Sequence, residues 1–122
     1  MKLIPLLKVK NIAKAVDFYT NTLDFELKYP AEGLNIYCVT LANGEAEFQL
    51  TETDGIWGVS VNVLMDEVDG LFEKYLKRGL ITPQKGDSPV HEGPTNQTWG
   101  MREFYITDAD GNTLRFTAPI NS

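Results

Sequence analysis

Read from first residue to last, this chain runs through the order strand, helix, three strands, and then runs through it again. A repeated element order narrows the possible folds sharply, because each repeat is one unit that buries only part of its apolar surface. A four-stranded sheet with one helix on its outer face leaves its inner face uncovered. Two such modules set side by side are expected to curl around a shared groove. The expectation is an α+β fold of two βαβββ modules, at about residues 1–52 and 56–122, forming a cup-shaped mixed sheet. With 122 residues the chain has room for one domain, 1–122, and not for two independent ones.

In the first copy, residues 3–9 read as a strand. Asn11 offers a helix N-cap, and Ile12, Ala15, Val16, Tyr19 and Leu23 recur at helical spacing, predicting a helix near 11–23. Residues 25–29 alternate as a strand that stops at Pro30, and 31–33 form a turn. Residues 34–41 and 45–51 pair across Ala42-Asn43-Gly44, whose Asn-Gly step is a strong hairpin signal. Thr53-Asp54-Gly55 is polar, turn-forming and the best candidate linker.

The second copy opens with a strand at 59–65 and an N-cap candidate at Asp66. Val68, Leu71, Phe72, Tyr75 and Leu76 make a helical stripe near 67–79 that ends in Lys77-Arg78-Gly79, basic residues followed by glycine. Residues 80–84 read as a short strand. The stretch 85–98 is rich in Gly, Pro, Ser and Thr and too long for a simple turn; loops of this length often carry function. Residues 99–116 then form a hairpin. Phe104, Ile106, Leu114 and Phe116 face one way, while Glu103, Tyr105, Thr113 and Arg115 face the other.

Composition limits the partners. The formal net charge of −6 and the scattered Lys and Arg disfavour nucleic acid, which requires a basic stripe. An acidic surface is compatible with a cationic ligand, although moderate acidity first of all keeps a protein soluble. One cysteine, Cys38, excludes an internal disulfide and a cysteine-based zinc cluster. No apolar run is long enough for a bilayer, and the N-terminus lacks a cleavage site, so the expected location is cytoplasmic with no membrane partner.

The segment 9–19, the triplet Leu23-Asp24-Phe25 and the run 99–116 resemble the vicinal oxygen chelate superfamily, in its glyoxalase and bleomycin-resistance branch. The resemblance covers nearly the whole chain and implies paired βαβββ modules and, commonly, a homodimer. Enzymes of this superfamily hold a divalent metal at positions on the first and last strand of each module. Carried onto this chain, those positions are Ile4, Gln49, Ser60 and Arg115. None is histidine or carboxylate, and Arg115 puts a permanent positive charge where a cation should sit. The expectation is no metal and no cofactor. A shifted site using Glu45, Glu47 or Glu103 is the alternative.

Glu45, Glu47, Gln49 and Thr51 share one strand face, and Glu47 and Gln49 should look into the groove with Glu103, Tyr105 and Arg115. Either these side chains line a mixed-charge cleft, or Arg115 closes a filled groove by pairing with Glu47 or Glu103. Trp99 matches a tryptophan of the bleomycin-resistance pattern, and a flat ring at a groove rim can stack a planar ligand. Trp57 reads as packing, Tyr19 and Tyr75 as core. His91 in the long loop reads as solvated, with acid–base chemistry beside Glu92 as the alternative.

The leading expectation is a metal-independent dimer that sequesters a planar, cationic small molecule, as the resemblance to bleomycin-resistance proteins implies. Tyr37, Trp99 and Tyr105 would stack on it. Glu47, Gln49 and Glu103 would pair with its donors, and Arg115 would orient the acids. The alternative is an enzyme of the same superfamily acting on a small oxygen-rich metabolite, with Arg115 on a carboxylate and Glu47 or Glu103 as base. A sensory or scaffold module with a filled groove is the third.

Overall fold

The computed structural model describes residues 1–29, 37–84 and 86–120. The expected turn at 31–33, and the start of the strand expected at 34–41, lie outside them. The chain divides into two compact units, Met1–Val59 with Asp108–Asn112, and Ser60–Thr107 with Thr113–Ser122.

The first unit contains β1 (Leu6–Lys8), α1 (Ile12–Asp17) continuing as a π-helical turn (Phe18–Thr22), β2 (Glu26–Leu27), β3 (Cys38–Asn43) and β4 (Ala46–Thr51). Its sheet runs β1-β4-β3-β2, with β1 parallel to β4 and the other neighbours antiparallel. Asn11 caps α1 as expected, its side chain accepting from the Lys14 amide at 2.9 Å. The Glu52 carboxylate accepts from the Ile12 amide at 2.8 Å, so a second orphan donor is met. Ile12, Ala15, Val16, Tyr19 and Leu23 are all buried. Tyr19, Phe25 and Phe48 meet edge-to-face, with ring centroids 4.9–6.1 Å apart. The predicted helix therefore has the right extent but loosens at Phe18, where the Leu23 amide bonds back to the Phe18 carbonyl. The β3–β4 loop also shifts by one residue. Asn43 pairs with Ala46, which leaves Gly44 and Glu45 at the tip, and Gly44 takes φ +59° as the twist of a tight hairpin favours.

The segment Asp108–Asn112 explains its own sequence. Asp108 Oδ1 accepts from the Asp110 and Asn112 amides, both at 2.9 Å. Asn112 is fully buried; its Nδ2 donates to the Lys8 carbonyl at 2.9 Å and its Oδ1 accepts from the Val59 amide at 3.1 Å. Tyr19 donates its hydroxyl to Asp108 Oδ2 at 2.8 Å. Burial first, and the adjacent Asp108 charge second, push the Tyr19 phenol far above its ordinary range.

The second unit contains β5 (Ser60–Leu64), α2 (Asp69–Lys77), α3 (Pro89–Glu92), β6 (Thr95–Asn96), β7 (Met101–Thr107) and β8 (Thr113–Pro119). Its sheet repeats the first topology as β5-β8-β7-β6, with β5 parallel to β8 and the other neighbours antiparallel. Val68, at the N-cap of α2, is buried, and Phe72 and Tyr75 within the helix are buried against Phe104 and Phe116. The last two stack with centroids 4.8 Å apart. Gly79 ends α2 as predicted. At φ +97° it lets its own amide reach the Leu76 carbonyl and the Leu80 amide reach Tyr75.

Three expectations change in this unit. Residues 80–84 are not a strand: the Leu80 amide is used by the helix end, Ile81 is exposed and Pro83 lacks a donor. The missing strand is β6, inside the long loop, where α3 also forms with Pro89 at its first turn. Asp66 does not cap α2. The Glu67 carboxylate does, accepting from the Gly70 amide at 2.9 Å. No helix among the described residues is long and apolar enough to cross a membrane.

Two stability predictions follow from the Asp108–Asn112 segment. Asn112→Ala leaves the Val59 amide and the Lys8 carbonyl unpaired and should cost about 2–4 kcal/mol in urea unfolding at neutral pH. For Tyr19, the raised native pKa means that the folded state holds its proton after the unfolded state begins to lose it near ~10. Stability should thus be flat below that pH and fall above it. Tyr19→Phe should cost about 1 kcal/mol at neutral pH yet weaken the alkaline decline, as read from melting temperatures across the alkaline range.

Candidate functional site

In the second unit, the face of the β7–β8 hairpin opposite the core carries the polar residues. Register places Glu103 across from Thr117, Tyr105 across from Arg115 and Thr107 across from Thr113. The parallel neighbour sets Asn62 beside Arg115 and Ser60 beside Thr113. Trp99 enters from the tight turn between β6 and β7, which is closed by the Gln97 amide on Met101.

Glu103 is the hub of this face. Only 4% of the residue is exposed. Its Oε2 accepts from Trp99 Nε1 at 3.2 Å and Thr117 Oγ1 at 3.1 Å, and its Oε1 accepts from the Tyr105 hydroxyl at 3.0 Å. Arg115 Nη2 lies 3.7 Å from Oε1, so of the two pairings weighed for Arg115 the structure realises the one with Glu103. The guanidinium lies over the Tyr105 ring, 4.9 Å from its centroid. Burial raises the Tyr105 pKa; nearby Arg115 opposes that, and the hydrogen bond to Glu103 adds to it. Trp99, tethered by its indole N–H, still leaves 58% of its surface exposed.

His91 joins this face, which sequence reasoning missed. Its Nδ1 is 2.6 Å from Ser88 Oγ and its Nε2 3.0 Å from Thr107 Oγ1, while its ring meets Tyr105 edge-on at 5.6 Å. It is half-buried rather than simply solvated. The available signal was Ser88-Pro89, a helix start three residues before the histidine. A cavity of about 50 Å³ beside His91 and Tyr105 has the volume of a water or two, not of a ligand.

The remaining candidates belong to the first unit. Glu47 is bonded by Lys2 Nζ at 2.7 Å and by Lys28 Nζ, and the two lysines hold its carboxyl below the usual range. The same bond raises the Lys28 pKa. Gln49 Nε2 donates to Thr40 Oγ1 at 3.3 Å. Tyr37 is exposed just before β3, and Glu45 sits in the β3–β4 turn. Trp57 is half-exposed, with Lys8 Nζ 5.0 Å from its ring centroid.

The metal positions implied by the resemblance do not fit a divalent ion. Ile4 has no donor atom, Ser60 and Gln49 offer only neutral oxygens, and Arg115 contributes a cation. Glu47 and Glu103 already carry their counter-charges. Among the described residues no three His, Cys, Asp or Glu side chains converge to hold a metal.

The family model of the glyoxalase/bleomycin resistance protein/dioxygenase superfamily matches residues 5–116. The chain belongs to this superfamily. Solved superfamily structures repeat the fold. A bleomycin resistance determinant encoded on the transposon Tn5 superposes with a TM-score of 0.77 at 16% identity over 99% of both chains. TioX from Micromonospora sp. ML1 gives 0.75 at 21% over 98% of this chain and 99% of that one. The bleomycin-binding protein of bleomycin-producing Streptomyces verticillus, complexed with copper(II)-bleomycin, gives 0.72 at 21% over 98% and 97%. At these identities the likeness is one of fold. No curated protein sequence matches the chain significantly.

The hub predicts a stability effect. Glu103→Ala removes the acceptor shared by Trp99, Tyr105 and Thr117, and leaves Arg115 without its counter-charge. It should cost about 2–4 kcal/mol in urea unfolding and lower the fluorescence anisotropy of the released Trp99. Glu103→Gln keeps one oxygen and the shape, and should cost less.

Proposed function

We propose that this superfamily member is a metal-independent binding protein that captures a planar small molecule by stacking it on Trp99. One observation carries the reading: a half-exposed indole is pinned by its N–H to a buried carboxylate, which holds a flat apolar surface in a fixed orientation toward solvent. An aromatic platform fixed in this way loses little entropy on binding. The likeness to bleomycin-binding proteins, which hold a small molecule on the same fold, supports the class of activity.

The expectation of a cationic ligand loses its support. It required free carboxylates, but Glu47 is covered by two lysines and Glu103 is buried under three donors and an arginine. The enzymatic alternative is weakened for the same reason, since a general base must reach its substrate. We further propose a homodimer, because exposed apolar side chains such as Leu64 on β5 and Ile56 gain from being covered.

Trp99→Ala should weaken capture of a planar aromatic probe by about 1–3 kcal/mol, the loss typical of an aromatic anchor, in calorimetric titration. Trp57→Phe should leave it unchanged, and equal losses for the two variants would contradict the assignment. Native mass spectrometry of the purified protein should show two chains of 13.7 kDa each and no bound divalent metal. A metal equivalent per chain would overturn the metal-independent reading.

A further inference from the structure

We propose that Arg115 makes this face selective for anions, so that the planar ligand is an aromatic acid, held through a carboxylate or phenolate oxygen. The inference rests on the capture reading above and names the ligand's chemical class. It starts from an imbalance within one cluster. Glu103 accepts from three neutral donors and is almost wholly buried. Arg115 is in the opposite condition. Its closest approach to Glu103 is 3.7 Å, beyond a hydrogen bond, and its Nε is buried with no acceptor among the described residues.

Guanidinium groups present a rigid planar fork of donors that matches a carboxylate bidentately. Here the face of that fork is taken by the Tyr105 ring, which leaves the edge as the binding element. About a third of the side chain is exposed, so its outer nitrogens are reachable. The hydroxyl of Tyr105 and the indole N–H of Trp99 are both committed to Glu103. His91 is engaged by Ser88 and Thr107, and its ring packs edge-to-face with Tyr105.

The net charge of −6 does not oppose this at contact range. Exposed charges beyond about 8–10 Å are screened at ordinary ionic strength, so the charge beside the ligand decides. A cation would meet the exposed edge of Arg115 first, while the Glu103 carboxylate that balances it lies buried beneath and out of the ligand's reach.

The test is calorimetric titration of the unaltered protein with three probes of one shape: 2-naphthoate, neutral 2-naphthamide and 2-naphthylmethylammonium. Naphthoate should bind about tenfold or more tightly than the ammonium probe, as a charge-assisted hydrogen bond allows. Added salt should reduce that advantage. Arg115→Met should bring the three within about threefold of one another, while Arg115→Lys should keep part of the preference. Equal binding of the three probes, or preference for the ammonium, would leave planar capture standing and overturn the anion assignment. A naphthoate preference that survives in Arg115→Met would overturn Arg115 as its source. If none of the probes binds, planar capture fails and the anion assignment with it. The ranking on the unaltered protein decides the matter even where a variant folds poorly.

Discussion

A carboxylate cannot be removed from water unless donors replace its hydration, and Glu103 shows what that demand imposes on a small sheet. Three donors come from three places: Tyr105 two residues along the same strand, Thr117 on the paired strand, and Trp99 in the preceding turn. The register Glu103 to Thr117 is thereby recognised by side chains as well as by the ladder. Buried hydrogen-bonded groups of this kind rigidify what they join. The orientation of Trp99 and the position of the Tyr105 ring under Arg115 both depend on one buried charge.

Behind the same hairpin the opposite demand applies. Phe104 and Phe116 stack, and α2 closes over them with Phe72 and Tyr75. Because successive strand residues alternate in direction, the apolar set could not face α2 unless Glu103, Tyr105 and Arg115 faced away from it. Core and candidate site are two consequences of one period. This is why both were legible before any coordinates: the alternation in residues 99–116 assigns each side chain to a face, and the stripes 12–23 and 68–76 assign the helices.

Other features could not be read from periodicity. The π-helical turn at Phe18 leaves the buried stripe intact, so a pattern of apolar positions does not register it. The strand expected at 80–84 had β-branched residues but also Pro83, and its first amide belonged to the Schellman end of α2. Its replacement, β6, is only two residues long and carries no apolar alternation. In the site, the side chains Glu103, Tyr105 and Arg115 were named together because they share a face. The tether on Trp99 and the place of His91 depend on loop paths, which the spacing of residues does not encode.

The charge logic of the site also had to be read from partners rather than from composition. An acidic chain with glutamates on its strand faces invites a cationic ligand, but a carboxylate attracts a ligand only in proportion to the charge left uncompensated. Lys2 and Lys28 share Glu47, so that cluster carries more positive than negative charge. Around Glu103 the carboxylate is hydrogen-bonded by neutral donors, so its charge balances Arg115 at 3.7 Å without satisfying the guanidinium's donors. Hydrogen-bond saturation and charge balance are separate conditions. Glu103 meets the first, while Arg115, at 3.7 Å from its counter-ion and with a buried Nε lacking an acceptor among the described residues, falls short of it. In a protein with excess acidic residues, the group on this face with binding capacity to spare is therefore a cation.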